Sequence, residues 1–359
     1  MAVKRNAVEL ADKYPQAADA VHKSFYVDDG LTGANNVESA ITLQRQLQDL
    51  FLHGGFMLRK WNSSEPLVLQ AIFPDLRESK EVHSISSSEQ DYTKTLGLEW
   101  NTTTDMFHIT ISKLPPSEAM TKRILISDIA KVFDVFGWFA PATIGMKILP
   151  QRVWEQRVDW DDPVPETIQK TWHQWRSELP SLVHKGMPRC YFPKNVQVVS
   201  LQIHGFCDAS ENAYAGVVYL RMADSTGVVH TSLVMSKTKV SPIKRLSVPR
   251  LELCGAQVLA KLLHHVKGIF QVPLSEVYTW TDSTIVLNWL TGNPRRFKTY
   301  VGNRVSEIVD QVPPERWSHV VSADNPADCF SWHSSITIDR ARTLVDWSYL
   351  ATFGTIAVA

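Results

Sequence analysis

The sequence is poor in cysteine. Four residues in 359, Cys190, Cys207, Cys254 and Cys329, lie far apart, with no CxxC pair and no Cys/His cluster at zinc-finger spacing. A disulfide framework and a structural zinc site are thereby excluded, and the four read as free thiols. Charge of one sign is not in excess either, because 37 basic residues balance 37 acidic ones. Bulk charge does not advertise a nucleic-acid partner, so any such partner must be held by local patches. Long apolar runs are also missing: Ile144–Leu149 and Val258–Leu263 are each interrupted by a lysine and fall far short of the ~20 residues that span a bilayer. The N-terminal MAVKRNAVELADKYP carries basic residues with no apolar stretch behind them, which argues against secretion. The expectation is an intracellular protein, cytoplasmic or nuclear, with no membrane partner.

What is present is ordinary globular texture, 44% hydrophobic and 21% charged, in a length that suits two or three units at ~100–200 residues each. The texture changes at PRCYFPKNV, near residues 189–196, where a helical, tryptophan-rich stretch gives way to a β-rich one. Before that seam, Phe25–Val27 and Leu31–Thr32 flank Asp28, Asp29 and Gly30, which reads as a hairpin with acids at its turn. Asp12 and Asp19 fall in the helix expected before it. Val37, Ala40, Ile41, Leu47, Leu50 and Phe51 recur at helical spacing, and Gly54-Gly55 supplies a stop. Leu96–Trp100 and Met106–Ile111 read as short strands. Helical patterns follow over 118–136, 142–158 and 165–179, with Pro150 expected to kink or break the second. Trp138, Trp154, Trp160, Trp172 and Trp175 can serve as stacking platforms for bases, but their helical spacing favours the core.

After the seam, Val199–Cys207, Ala213–Arg221 and Val228–Ser236 form three β-rich runs suited to an antiparallel meander. The period then becomes helical: Leu251, Cys254, Val258, Leu259, Leu262, Val266 and Ile269 line one face of a long helix starting near Pro249. A strand at Glu276–Thr281, helices near Ser283–Leu290 and Thr299–Val309, a strand at Trp317–Val321 and a helix start near Asn325 complete the order βββαβαβα. That order predicts a mixed sheet with helices packed on it, an α/β (α+β mixed) class. Asp208, Glu252, Asp282 and Asp328 each sit where one element hands over to the next. Taken singly, each is an ordinary turn, cap or first-turn acid. Taken together at one sheet edge, four carboxylates would repel and raise one another's pKa unless cations neutralise them. Hard Mg²⁺ is the natural match, with Mn²⁺ an alternative, and a phosphodiester the natural substrate. Two such ions ~3.5–4 Å apart suit in-line phosphodiester displacement. Basic patches lie at Lys237, Lys239, Lys244, Arg245 and Arg250, and at Arg295, Arg296 and Lys298.

GFCDASENAYAGVVYL, SVPRLELCGAQVLAKLL, YTWTDSTIVLNWL, FKTYVGNRVSEI and DNPAD resemble, in order and spacing, the ribonuclease H region of BEL/Pao-type retrotransposon Pol polyproteins. The resemblance implies that Asp208, Glu252, Asp282 and Asp328 are metal-binding catalytic carboxylates. It also implies that the partner is an RNA:DNA hybrid whose RNA strand is cut, recognised through its shape and 2′-hydroxyls. His319, the nearby candidate for the catalytic histidine that some ribonuclease H enzymes carry, falls inside a predicted strand and receives no role.

YPQAADAVHKSFYVDDGLTGANNVESAITLQRQL, GGFMLRKW and TLGLEW are similar to the reverse-transcriptase palm of the same elements, from before its YxDD hairpin through the primer grip. That implies metal-binding roles for Asp28 and, secondarily, Asp29. A further palm aspartate belongs upstream, but only 27 residues precede Asp28, so polymerisation by this chain alone is not expected. Half a palm leaves strand edges unpartnered, which predicts poor stability or aggregation for residues 1–110. RILISDIAKVFDVFGWFAPATIGMKILPQRVWEQRVDWDDPVPE resembles the segment joining palm to ribonuclease H, a region that also carries a Pao peptidase label. An aspartic peptidase needs an Asp-Thr-Gly or Asp-Ser-Gly loop. Neither triplet occurs, and Asp224-Ser225-Thr226-Gly227 has one residue too many. The expected organisation is a partial palm over 1–112, a thumb/connection-like segment over 113–195, a ribonuclease H-like domain over 196–335 and a divergent tail over 336–359. The resemblance ends after NPAD at Asp328, where CFSWHSSITIDRARTLVDWSYLATFGTIAVA replaces the family's Leu-Ala-Ser-Arg-like helix. This break suggests a truncated or frame-shifted Pol fragment whose remaining parts would be partners. A nucleic-acid-binding relic without catalysis is the alternative.

Overall fold

The structure, a computed structural model, describes residues 2–78, 92–95, 97–111, 120–183, 185–194 and 196–331. The tail predicted over 336–359 lies outside the described residues. The chain divides into two compact units, one covering Met1–His108 and the other starting at Ile109.

In the first unit, helices Ala2–Glu9, Pro15–Ser24 and Val37–His53 share a core that includes Ala17, Val21, Leu43, Leu47, Leu50 and Phe51. The third begins where Asn36 Oδ1 accepts the Ser39 amide at 2.8 Å, a side-chain cap on an otherwise orphaned donor. It stops at Gly54, with Gly55 at φ 77°, a conformation that costs glycine little. Asp19 lies on the second helix, whereas Asp12 sits in the turn before it. The expected hairpin forms as a two-residue ribbon, Phe25 opposite Gly30 and Tyr26 opposite Asp29. Its turn places Val27 at φ 57°, where a β-branched side chain is strained.

The second unit is built on a five-stranded mixed sheet. Its strands are β1 (Val198–Ala209), β2 (Ala213–Asp224), β3 (Val229–Val240), β4 (Val277–Thr281) and β5 (Trp317–His319), in spatial order β3-β2-β1-β4-β5. The first three form the expected meander; β4 and β5 join parallel to β1 and to each other. Helix α1 (Ala140–Glu155) precedes the sheet, and α2 (Val248–Phe270), α3 (Thr284–Thr291), α4 (Thr299–Gln311) and the short α5 (Asp328–Ser331) follow or interleave it. The apolar stripe of α2, with Leu259 and Leu263, packs on Ile203, Val218 and Leu220. Close approach requires glycine on the strands beneath, since a Cβ at Gly216 would lie 2.9 Å from the Leu259 backbone.

Three sequence expectations differ from the structure. Helix 118–136 is shorter, Lys122–Ala130, because Val132 and Phe133 instead pair antiparallel with Ile111 and Thr110. Pro150 does not break α1, which runs continuously through it. Burial of Ile148, Leu149 and Val153 around the proline offsets the lost backbone bond. Of the five tryptophans expected in the core, Trp138, Trp172 and Trp175 are buried, but Trp154 and Trp160 are 46% and 45% exposed. These two meet edge to face at 5.7 Å, with the Lys122 ammonium 4.1 Å from the Trp154 ring centre, an attraction that favours keeping the rings near water.

The segment 134–155 lies along β3, the outer strand of the meander. Ser236 donates its amide to Phe136 O at 2.8 Å, Trp138 Nε1 donates to Val234 O at 2.8 Å, and Gln151 Nε2 donates to Ser241 O at 2.7 Å. Ile144 and Ile148 pack against Ala213 and Val240. An edge that would otherwise offer unpaired backbone groups is thereby covered.

Candidate active site

Parallel register makes the site. Cys207 on β1 is opposite Thr281 on β4, so the next residues along the two strands, Asp208 and Asp282, emerge side by side at the same sheet edge. Period-two alternation turns Asp208 to the face opposite Cys207. Glu252 comes from α2, one turn past the start of that helix, and Asp328 is the first residue of α5. The turn leading to α5 is pinned to β1 by Asn325, whose Nδ2 donates to Cys207 O at 3.1 Å and whose Oδ1 accepts the Ala327 amide at 3.1 Å.

The electrostatics tie the four together. Asp208 is 6% exposed, and its carboxyl is pushed up to about 6, first by burial and then by repulsion from Asp282 and Asp328; the Ser331 hydroxyl pulls the other way. Glu252 is raised above the usual glutamate range by burial, with Asp282 adding repulsion against the pull of Ser283. Burial also raises the Cys207 thiol, with smaller contributions from Asp208, Asp282 and Glu252. Each of three carboxylates rests on a serine hydroxyl. Ser331 donates to Asp208, Ser283 donates to Glu252, and Ser322 Oγ donates to Asp282 Oδ2 at 2.6 Å. Ser283 also caps α3, accepting the Val286 amide at 3.3 Å.

Asp282 Oδ1 is buried and has no hydrogen-bond partner, an expensive state for a charged oxygen. An all-oxygen, mutually repelling donor set with one orphaned buried oxygen fits a hard divalent cation in its chemistry. In the side-chain positions seen, however, no three His, Cys, Asp or Glu side chains among the described residues converge on one point. The carboxylates couple in pairs, Asp208 with Asp282, Asp208 with Asp328 and Glu252 with Asp282.

Residues 121–283 match the family model described as the Pao retrotransposon-like RNaseH-like domain. This segment is a Pao retrotransposon RNaseH-like domain. The matched residues include Asp208, Glu252 and Asp282, and they end before Asp328. Among curated proteins, none matches the chain. Solved structures similar to it include the N-terminal RNase H domain of a Mycobacterium tuberculosis protein, at 13% identity over 41% of this chain and 98% of that one, TM-score 0.25. RNase H1 of Halobacterium salinarum is similar at 13% identity over 42% and 96%, TM-score 0.23. The compost-derived LC11-RNase H1, solved in complex with an RNA/DNA hybrid, is similar at 12% identity over 35% and 88%, TM-score 0.25.

The basic residues of the Pao-type unit are spread over its surface. Lys237 and Lys239 are exposed on β3, Lys244 and Arg245 are exposed in the following loop, and Arg295, Arg296 and Lys298 are exposed before α4. Arg250 is half-buried at the start of α2, 5.5 Å from the Tyr300 ring centre, and Arg304 lies 3.7 Å from the same ring. His319 is exposed on β5 opposite Thr281. In the other unit, Asp28 and Asp29 are exposed on the hairpin. Asp224 closes a β-turn: its Oδ1 accepts the Thr226 and Val228 amides at 2.8 and 3.0 Å. The Thr226 hydroxyl and then His230 hold its carboxyl well below the usual range. An ionised, locked aspartate of this kind does not suit a peptidase dyad that shares one proton.

Sequence reasoning did not single out the serines or Asn325. Ser283 carries an N-cap signature directly after Asp282, and Asn325 stands inside the NPAD run. Ser331 has no local signal, because its partner Asp208 is 123 residues away.

Proposed function

We propose that the second unit is an RNA:DNA-hybrid ribonuclease acting by two-metal phosphodiester hydrolysis at Asp208, Glu252, Asp282 and Asp328. The observation that carries this reading is the side-by-side exit of Asp208 and Asp282 from parallel strands, with Glu252 and Asp328 electrostatically coupled to them. Asp208 and Asp282 each belong to two of the coupled pairs and are the residues best placed to be shared by two cations. When bound, two Mg²⁺ ions would supply an activated water and neutralise charge on the phosphate. The protein's own part is to hold the carboxylates in place. Ser331, Ser283 and Ser322 fix three of them, and Asn325 seats the turn that carries the fourth. The exposed Lys237, Lys239, Arg245, Arg295 and Arg296, with half-buried Arg250, would draw the hybrid's backbone, which needs no base reading. Asp28 and Asp29 are retained as a polymerase remnant without activity of their own. Asp28 lies in the exposed turn of the hairpin and Asp29 on its second strand, opposite Tyr26.

A second reading, binding without catalysis, is favoured by one observation: the carboxylates lie in pairs on serine hydroxyls and no trio converges among the described residues. Incubation with a labelled RNA:DNA hybrid and Mg²⁺ separates the two. The nuclease reading expects RNA-strand cleavage that Asp208→Asn and Glu252→Gln abolish, whereas the binding reading expects none, with affinity that falls steeply with salt and needs no magnesium.

A further inference from the structure

Trp154 and Trp160 were expected in the core and are instead half exposed. Trp154 lines an open cavity of about 350 Å³ together with Lys147, Gln151, Val240, Ser241 and Ile243, at the small end of the ~300–1,000 Å³ range of ligand sites. The Lys122 ammonium, itself donating to Val158 O at 2.9 Å, occupies one side of the Trp154 ring. Trp160 meets the same ring edge to face at 5.7 Å, and the indole remains 46% exposed. Ile243, 61% exposed, adds apolar surface, and the buried Ser241 hydroxyl has no hydrogen-bond partner although it borders the opening. Gln151 fixes that loop by donating to Ser241 O. The surroundings are cationic: Lys147 lies close enough to Lys237 for the two to repel. Asp134 offsets part of the Lys147 charge, while Lys237 and Lys239 stand exposed on the adjacent strand.

A half-exposed aromatic ring beside neighbouring lysines suits single-stranded nucleic acid, in which bases stack on rings and the backbone follows positive charge. We propose that the cavity between α1 and the end of β3 takes one unpaired base of a single-stranded segment, stacked on Trp154, with the flanking phosphates drawn by Lys147 and Lys237. This site extends the nucleic-acid reading above to a strand that is not in the hybrid, and it does not depend on cleavage.

The test measures binding of the full chain to a fluorescent oligothymidylate and to an abasic strand of equal length, by anisotropy in EDTA, where nuclease activity plays no part. Wild type is expected to bind the oligothymidylate more tightly than the abasic strand. Trp154→Ala should weaken the former about ten-fold and leave the latter nearly unchanged, and Trp154→Phe should keep most of the preference. Equal binding of both strands by wild type overturns the proposal. So does unchanged oligothymidylate binding by Trp154→Ala, the result expected if a peptide segment occupied the cavity. Parallel loss of both strands in the two variants overturns it as well. A failed hybrid-cleavage assay leaves these outcomes standing, so the two readings fail separately.

Discussion

Asp208 is the residue at which fold and chemistry conflict most. Its carboxyl is buried and faces two other acids, and burial pushes it up to about 6, well above the ordinary aspartate value of about 4. Between those two values the native state holds a proton that the unfolded chain has released, so stability falls as pH rises from about 4 to about 6. In chelated protein this amounts to a loss on the order of 2–3 kcal/mol above pH 6. Asp208→Asn removes the titration, so the variant should be more stable than wild type at neutral pH, with the advantage fading toward pH 4. Urea denaturation in EDTA at a series of pH values checks this, and a pH-independent difference between the two proteins would count against a strained carboxylate. The serines act at the same scale. Each donates one hydroxyl hydrogen to an acid, which lowers the cost of holding that carboxylate in a partly buried site.

At the scale of elements, the site depends on how closely α2 approaches the sheet. Gly216 on β2 faces the Leu259 backbone, and Gly255 on α2 faces Asp208 O at 3.0 Å from an ideal Cβ. Backbone cannot move aside as a flexible side chain can, so Gly216→Ala should push α2 outward and cost about 1–3 kcal/mol. The shift should appear in the urea midpoint at constant slope, and an unchanged midpoint would show that the contact is slack. Element order was largely legible in the sequence because period is local. The meander, the long helix from Pro249 and the placement of Asp208 and Asp282 at strand ends all follow from alternation and helical spacing. What escaped was set by distant partners. The helix expected over 118–136 lost its end to pairing with Thr110 and Ile111, and Pro150 was tolerated because its neighbours are buried. Trp154 was exposed by a cation at Lys122, 32 positions upstream in a separate helix. The carboxylates stand in recognisable motifs, whereas the Ser331–Asp208 bond, between residues 123 positions apart, left no local signal.

For the molecule as a whole, balanced charge means that nucleic-acid affinity must come from the exposed patches rather than from a net field. Each phosphate contact contributes about 0.7–0.9 to the slope of log affinity against log salt. The double variant Arg295→Ala/Arg296→Ala should therefore flatten the slope for hybrid binding in EDTA by about 1.4–1.8, and an unchanged slope would remove that patch from the interface. The two units can differ in their chemistry: the first presents Asp28 and Asp29 on a strained exposed hairpin, while the second gathers four acids at one sheet edge. The proposed hydrolysis of a phosphodiester rests on the second. The measurement that bears on this most directly is cleavage of an end-labelled RNA:DNA hybrid in Mg²⁺ by the full chain, by Asp208→Asn and by Glu252→Gln. Cleavage of the RNA strand by wild type, lost by about a hundred-fold or more in both variants, is the predicted result; equal cleavage by all three proteins, or none by wild type, would contradict it.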